Sequence, residues 1–417
     1  MTEPDINSIR NNLINKFDLT RNLSDEEIYS FIDNEIIETG RQQFISLTDK
    51  ERLRYILFNS IRGYDVLQEL LDDQNITEIM INGPDDIFIE RNGLLEKSEI
   101  HFSSPEKLQD IIQQIVSEAN RRVNEASPIA DARLYDGSRV NIVLNPVALN
   151  GPAVTIRKFP DTPLSMNDLI QFGTLTHETA DFLHLLVLSG YNIFVCGGTG
   201  SGKTTFLNVL SDFIPSSERV ITIEDSAELQ LHIPNIVKLE ARQANTDGKN
   251  EITIRDLIRS SLRMRPNRII VGEIRGAEAL DMLTAFNTGH DGSMSTGHGN
   301  SPRDMLRRIE TMVLMGVDMP VSSIKGQIAS AIDIIVFLGR MRDHSRRVLE
   351  ITEIADFTDN EIILNPLYIF KESGSTQKVT GSLQKTGNSL KDITKIQMSG
   401  HTAPVCQAQD KKIYNFF

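Results

Sequence analysis

The stretch that decides the fold is an apolar run that ends in a glycine-rich loop, Ile193-Phe194-Val195-Cys196-Gly197-Gly198-Thr199-Gly200-Ser201-Gly202-Lys203-Thr204. A strand, a loop of this spacing and a helix that starts with Lys and Thr are typical of a phosphate-binding loop. Its glycines let backbone N–H groups point at phosphates, and the helix N-terminus adds a positive dipole. A purely structural turn does not explain why Lys and Thr follow. The pattern therefore predicts nucleotide binding by Gly197, Gly198, Thr199, Gly200, Ser201, Gly202, Lys203, Thr204 and Thr205.

Two side chains of this loop are expected to carry specific chemistry. We expect Lys203 to reach the β- and γ-phosphates and the hydroxyl of Thr204 to bind Mg²⁺. The loop therefore predicts a nucleoside triphosphate with Mg²⁺ as its metal ion; ATP as the nucleotide is what the family resemblance described below implies.

Two apolar runs further along the chain end in acidic residues. The run 220–223 continues into Glu224, and the run 269–271 continues through a glycine into Glu273. The carboxyl ends of parallel strands are where α/β sheets bind ligands. One acid can hold the metal's water shell and the other can orient the attacking water. We favour Glu224 for the water and Glu273, with Thr204, for the metal; a surface cap is the alternative for either acid taken singly.

The segment 288–298 is small and polar, and it carries two of the eight histidines, His290 and His298. A zinc site is one interpretation, but a third good ligand at short spacing is missing. A polar loop with capping histidines is the other. The residues by themselves leave both open.

Two sets of arginines are candidates for stabilising the charge that builds up during phosphoryl transfer. Arg133, Arg139 and Arg157 cluster in the segment before the phosphate loop, whereas residues 255, 259 and 263 are arginines spaced as one helical stripe. A solvated surface position is the default for any one arginine. As sets, they are candidates for a contact between subunits.

The pattern of apolar residues changes several times along the chain. Residues 1–62 are predicted to form a helical extension, and 63–158 a small α+β domain with a hairpin near Asn82-Gly83 and an amphipathic helix starting at Pro105. Residues 159–176, which hold Pro160 and Pro163, are predicted to be a linker. Residues 177–370 are predicted to form an α/β domain with a parallel-rich sheet. Residues 371–417 are predicted to be a C-terminal tail of weak strands and loose chain.

Composition excludes several classes of protein. The 417 residues carry a net charge of −14, which disfavours nucleic-acid binding through phosphate contacts. The two cysteines, Cys196 and Cys406, provide neither a disulfide framework nor a four-cysteine zinc site, and they suit a reducing cytoplasm. The polar N-terminus is unlike a signal peptide, and no run of about 18 apolar residues predicts a membrane span.

Taken together, the motifs resemble those of the secretion traffic ATPases, and most closely the tight-adherence (Flp) pilus-assembly branch, the CpaF-like family. The resemblance covers roughly residues 63–370. It is carried by the following segments: residues 78–84 (EIMINGP), 131–141 (DARLYDGSRVN), 155–159 (TIRKF), the phosphate loop, 223–225 (IED), 262–266 (LRMRP), 272–276 (GEIRG) and 288–298 (TGHDGSMSTGH).

The resemblance implies an ATP-hydrolysing motor built as a homo-oligomer, a hexameric ring of subunits that each pair a small domain with a RecA-like P-loop ATPase domain. It implies a place in the cytoplasm, held at the inner membrane through a pilus or secretion platform protein, with no direct nucleic-acid contact. By motif position, Glu224 belongs to the aspartate box, Glu273 to Walker B, and His290 and His298 to the histidine box. Arg139 and Arg157 match arginines that approach the phosphates from the small domain.

Some features depart from the family pattern. Gly299 stands where alanine is usual, residues 1–62 match weakly, and residues 401–417 match nothing. The main alternative from another class is a RecA-like nucleic-acid motor, for which the stripe at Arg255, Arg259 and Arg263 is the best support and the acidity of the chain the main objection.

Overall fold

The computed structural model describes residues 3–16, 23–42, 44–91, 93–159, 163–242, 244, 249–374 and 377–400. The chain divides into two units, Met1–Asp161 and Thr162–Phe417, and each is described by itself.

Three helices open the first unit: α1 (Glu3–Lys16), α2 (Asp25–Gln42) and α3 (Leu47–Ile61). Their apolar sides meet around Leu13, Ile32 and Leu57, all of which are fully buried. Ser46 caps α3 by accepting a hydrogen bond from the backbone N–H of Asp49, which satisfies one of the free donors at the helix start. The helical character expected for this part of the chain is therefore present.

The rest of the first unit is a six-stranded antiparallel sheet with one long helix on it. Its elements are α4 (Leu67–Asp72), β1 (Ile76–Asn82), β2 (Ile87–Arg91), β3 (Leu94–Lys97), α5 (Pro105–Glu118), β4 (Ile129–Arg133), β5 (Arg139–Val143) and β6 (Ala153–Arg157). The strand order is β3-β2-β1-β6-β5-β4. The predicted hairpin and the predicted helix, capped by Ser104, are both confirmed.

The second unit is built on a nine-stranded sheet. Its helices are α6 (Met166–Gln171), α7 (His177–Leu188), α8 (Lys203–Ser211), α9 (Ile254–Ser261), α10 (Glu278–Phe286), α11 (Pro302–Gly316), α12 (Val321–Ala331) and α13 (Thr394–Ser399). Its strands are β7 (Ile193–Gly197), β8 (Arg219–Glu224), β9 (Asn235–Glu240), β10 (Arg268–Val271), β11 (Met294–His298), β12 (Ile334–Arg340), β13 (Arg346–Thr358), β14 (Glu361–Glu372) and β15 (Gly381–Lys385).

The strand order of this sheet is β15-β14-β13-β12-β7-β11-β10-β8-β9. The six strands from β12 to β9 run parallel, and β13 to β15 add an antiparallel edge. Side chains of β7 are buried on both faces, since Val195 packs in one core and Phe194 in the other. The parallel-rich sheet predicted from the alternation of strands and helices is confirmed.

The segment expected to be a linker, 159–176, contains a folded helix. Ser165 starts α6 with a capping box to Asp168, and Leu169 and Leu175 are buried in the core of the second unit. The described part of this segment, from residue 163 onward, is therefore packed rather than extended, because these leucines contribute to the core.

The C-terminal segment agrees with its expectation in part. A strand expected there is present, since residues 381–385 form β15 at the edge of the sheet, but the chain after it is packed up to residue 400, where α13 contacts α7. The hydroxyl of Tyr191 donates to the carbonyl of Asp392, which ties the segment down. Residues 401–417, with Cys406, lie outside the described residues, so the expectation of loose chain there stays a prediction.

Among the described helices, none combines the length and apolarity that crossing a lipid bilayer requires.

Cys196 is fully buried in β7, and burial raises the pKa of its thiol. The domain boundaries as a set remain a prediction.

Candidate nucleotide site

The phosphate loop has the strand–loop–helix order that its sequence predicts. It leaves the buried strand β7 at Gly197 and enters α8 at Lys203. Gly200 and Gly202 adopt positive φ angles of 69° and 90°, which a residue with a side chain rarely tolerates. The backbone path of the loop therefore requires glycine at these two positions.

Lys203 lies folded over this loop. Its side chain is 8% exposed, and Nζ donates to the carbonyl of Gly198 at 3.0 Å. Nζ also lies 3.4 Å from Nδ1 of His298. Since an ammonium group can only donate, Nδ1 is the acceptor and the ring proton sits on Nε2.

His298 connects the lysine to an acid. Its Nε2 lies 2.9 Å from Oε1 of Glu273, and Arg275 donates to the other carboxylate oxygen at 2.8 Å. Burial first, and then the charge of Lys203, lowers the pKa of His298 below its ordinary value. The imidazole is therefore neutral near pH 7, which is the form that can accept from Lys203 and face Glu273 at the same time.

The carboxylate of Glu273 fits a role beside a metal ion. Its Oε1 atom is buried, and no aligned hydrogen bond reaches it from the described residues. No group of three or more His, Cys, Asp or Glu able to hold a metal occurs in the described part of the chain. A single carboxylate such as that of Glu273 suits Mg²⁺, which usually takes only one or two carboxylates and completes its shell with phosphate oxygens and water.

Glu224 ends β8 and is 3% exposed. Its Oε1 accepts backbone hydrogen bonds from Glu228 at 2.8 Å and from Leu229 at 3.1 Å. Its Cγ would stand only 2.9 Å from a Cβ at Gly272, so that glycine is needed for the acid to pack there. The loop after β8 thus holds Glu224 in place, and a rearrangement of this loop changes what the carboxylate can contact.

His290 lies far from this group of side chains. Parallel pairing places His298 beside Gly197 but Met294 beside Ile193, at the opposite end of β7. The strand from Met294 to His298 spans on the order of 13 Å, at the usual rise per residue. Nδ1 of His290 instead lies 3.1 Å from the carbonyl of Ala285. His290 therefore lies at the end of β11 away from the phosphate loop, and its predicted role as a residue of the γ-phosphate side or of coupling stays a prediction.

The arginine set of the first unit forms a row. Arg133 pairs with Arg139 across β4 and β5, and Arg139 pairs with Arg157 across β5 and β6. Directly opposed residues point to the same face of a sheet. Val140 and Ile156, next to them in sequence, belong to the core on the other face. The cluster predicted from the sequence is thus present, on the face away from the core.

The helical arginine stripe is mostly engaged within its own unit. Nε of Arg255 lies 2.6 Å from the carboxylate of Asp281 on α10, and Nε of Arg259 lies 2.8 Å from it. The side chain of Asp281 is largely buried. Two of the three arginines therefore join α9 to α10, which weakens the case for this stripe as a nucleic-acid contact.

Sequence reasoning missed two residues that shape the site. Arg346 donates from Nε to the carbonyl of Gly200 at 2.9 Å, although the two are 146 residues apart. Asn208 on α8 accepts from the backbone N–H of Gln230 at 2.8 Å and so anchors the loop after β8. Neither residue belongs to a local motif. Arg346 reaches the site because β12 lies next to β7, and Asn208 does so because α8 contacts the loop after β8.

The sequence profile of the family described as "Type II/IV secretion system protein" matches residues 61–408. A putative conjugal transfer protein of Mycobacterium tuberculosis is 34% identical over 302 residues, which cover 71% of this chain and 86% of that protein. The type IV secretion system protein PtlH of Bordetella pertussis is 33% identical over 313 residues, which cover 68% of this chain and 92% of that protein. The solved structure of the ATPase DotB of Yersinia pseudotuberculosis is similar in fold, with a TM-score of 0.51 at 19% identity over 70% of this chain and 78% of that one.

Proposed function

The chain belongs to the type II/IV secretion system protein family and is an ATPase of that family, and from this premise we propose that it works as a hexameric motor that powers pilus assembly or protein secretion across the cell envelope. The fold class is the one expected, a RecA-like ATPase domain preceded by a small α+β domain and N-terminal helices. The observation that carries the proposal is the contact of Lys203 with His298 and of His298 with Glu273, beside the phosphate loop.

The proposed roles of the site residues follow from their surroundings. Lys203 binds the β- and γ-phosphates, and Thr204 with Glu273 holds Mg²⁺, which neutralises phosphate charge when it is bound. Glu224 orients the attacking water once the loop after β8 releases its carboxylate. His298 couples Lys203 to Glu273 on the γ-phosphate side of the site, because it contacts both residues.

Arg139 and Arg157 are proposed to bring positive charge to the phosphates from the first unit. Their place in one row, on the face of the sheet away from the core, supports this, because one anion can contact neighbouring arginines on the same face. Whether they serve the nucleotide of their own subunit or of a neighbour is a question for experiment.

Several finer statements are also part of the proposal. The motor acts in the cytoplasm at the inner membrane, through a platform protein of a pilus or secretion apparatus. The motifs of residues 63–370 favour the tight-adherence (Flp) pilus branch. A nucleic-acid motor is the weaker candidate, since Arg255 and Arg259 are bound to Asp281.

The first test measures ATP turnover per subunit as the protein is diluted, with light scattering to record its mass, and then with added DNA. We expect turnover to fall as the ring dissociates and to be insensitive to DNA. Full turnover from monomers contradicts the ring, and strong stimulation by DNA favours the alternative motor.

The second test concerns the arginine row. Arg139→Ala and Arg157→Ala should lower turnover by about a thousandfold or more while ATP affinity changes little, because an arginine on the γ-phosphate acts mainly in the transition state. Arg133→Ala, in the same row but not one of the two arginines matched to phosphate-contacting positions, is the control and should have a much smaller effect.

Mixing identifies the subunit on which each arginine acts. An arginine that acts on the neighbour's nucleotide predicts partial recovery when its variant is mixed with Lys203→Ala subunits, since some sites then combine an intact loop with an intact arginine. An arginine that acts on its own subunit predicts no recovery. Normal turnover in both arginine variants overturns the assignment.

A further inference from the structure

The turn between β12 and β13 places two arginines against the phosphate loop. Arg340 ends β12, Arg346 begins β13, and the two face each other in the antiparallel register. Arg346 Nε donates to the carbonyl of Gly200 at 2.9 Å. Nη1 of Arg340 lies 3.5 Å from the point where a Cβ on the same glycine would stand.

The two arginines repel each other, but hydrogen bonds within the turn hold it in place. Like charges directly opposite each other in a sheet repel. The turn is nevertheless well tied: Asp343 accepts from the hydroxyl and backbone N–H of Ser345 and from the backbone N–H of Val379. The Ser345 hydroxyl, followed by the Val379 N–H, lowers the pKa of Asp343 to about 2, so the carboxylate stays charged and keeps these bonds. The fold therefore holds two cations beside the loop.

The pairing of the strands shows which side of the loop these cations occupy. His298 of β11 pairs with Gly197 from one side, and Leu338 of β12 pairs with Gly197 from the other. Glu224 ends β8 and Glu273 follows β10, and both strands lie beyond β11 in the sheet. Hydrolysis needs the γ-phosphate near those acids. The α-phosphate of a nucleotide bound along the loop therefore lies on the side of the β12–β13 turn.

We propose that Arg340 and Arg346 form the α-phosphate side of the nucleotide site. Arg340 contacts the α-phosphate, and its planar guanidinium suits phosphate oxygens. Arg346 is a positioning residue: by holding the carbonyl of Gly200, it keeps that peptide oriented so that the loop presents N–H groups rather than carbonyl oxygens to the anion. This inference rests on the proposed function, because it requires a nucleotide on the phosphate loop.

The test compares binding of ATP and ADP with steady-state turnover in Arg340→Gln and Arg346→Gln. Because the α-phosphate is common to both nucleotides, we expect both dissociation constants to rise by a similar factor, about tenfold or more for the loss of a charge-assisted hydrogen bond. The KM for ATP should rise in step, and kcat at saturating ATP should not fall, since the acids at the γ-phosphate are untouched.

Two further variants separate a specific role from general damage. Arg342→Gln alters the same turn, but its guanidinium pairs with Glu372, so nucleotide affinity should match the wild type. Arg346→Lys keeps a donor and a positive charge, and it should retain most of the affinity that Arg346→Gln loses. Thermal unfolding of each variant identifies any that fail to fold, and Arg346→Lys then decides the question for Arg346.

The possible outcomes are distinct. Wild-type affinity for ADP in both Gln variants, with binding abolished in Lys203→Ala, overturns the role of the turn and leaves the phosphate loop intact. A fall in kcat with unchanged KM also overturns it. Failure of the wild-type protein to bind ATP instead contradicts the proposed function itself.

Discussion

Each end of the parallel sheet in the second unit carries a lysine, a histidine and acidic residues. The contacts among these side chains differ between the two ends. At the carboxyl end, Lys203 contacts a loop carbonyl and His298, and His298 contacts Glu273. At the amino end, Nζ of Lys395 lies 2.6 Å from Asp333 and 3.0 Å from Asp291. The same residue types are therefore held in two different ways.

The difference lies in how completely the acids are paired. Asp333 receives the ammonium of Lys395 and the backbone N–H of Asn192 at 2.7 Å. Burial raises its pKa, and Lys395 opposes that rise. Glu273, by contrast, accepts from Arg275 through one oxygen, while Nε2 of His298 lies 2.9 Å from its other, buried oxygen without an aligned hydrogen bond in the described chain. The amino end is arranged for stability, and the carboxyl end keeps an acceptor for a ligand.

The largest expected difference between the two ends follows from replacing the lysine at each end with alanine. Lys203→Ala should lower ATP turnover by at least about a hundredfold, because it removes charge that stabilises the transition state. Lys395→Ala should leave turnover within about twofold but lower the free energy of unfolding by about 2 kcal/mol, since it leaves Asp333 without its ion-pair partner.

Turnover assays and thermal unfolding of both variants provide the check. Each variant serves as the control for the other, since the substitution is the same. A loss of activity in Lys395→Ala without a loss of stability contradicts the division between the two ends.

A smaller effect is expected for the two histidines. His298→Ala should lower kcat by roughly tenfold to a hundredfold, as expected for a residue that orients the groups around a metal and phosphate site. His290→Ala should change kcat by less than about twofold in comparison, because its nearest bond is to the carbonyl of Ala285. Equal losses in kcat indicate that His290 acts through a neighbouring subunit.

The elements that local patterns specify were predictable from the sequence. The phosphate loop follows from glycine spacing between a strand and a helix, and the α5 helix follows from its capping serine and apolar face. Glu224 and Glu273 follow from their positions at strand ends. These features depend on neighbours within a few residues, so a single sequence contains them.

The features that escaped prediction depend on tertiary contacts. Arg346 reaches Gly200 only because β12 lies next to β7. His290 and His298 share one motif, yet a strand separates them. Residues 163–176 contain a proline and a glycine that suggest a linker, but Leu169 and Leu175 make the segment part of a core. Spacing along the chain does not reveal which strands become neighbours.

The burial of Cys196 has a practical consequence for spectroscopy. A thiol that is shielded from solvent and stays protonated reacts poorly with maleimide dyes. With Cys406 replaced by serine, a cysteine introduced at the exposed Met398 of α13 becomes the preferred labelling position. Helix α13 packs near Ser189, which follows the end of α7. It therefore lies at the amino end of the parallel strands, opposite the phosphate loop. A fluorophore there can follow the second unit through a catalytic cycle while the dye stays away from the bound nucleotide.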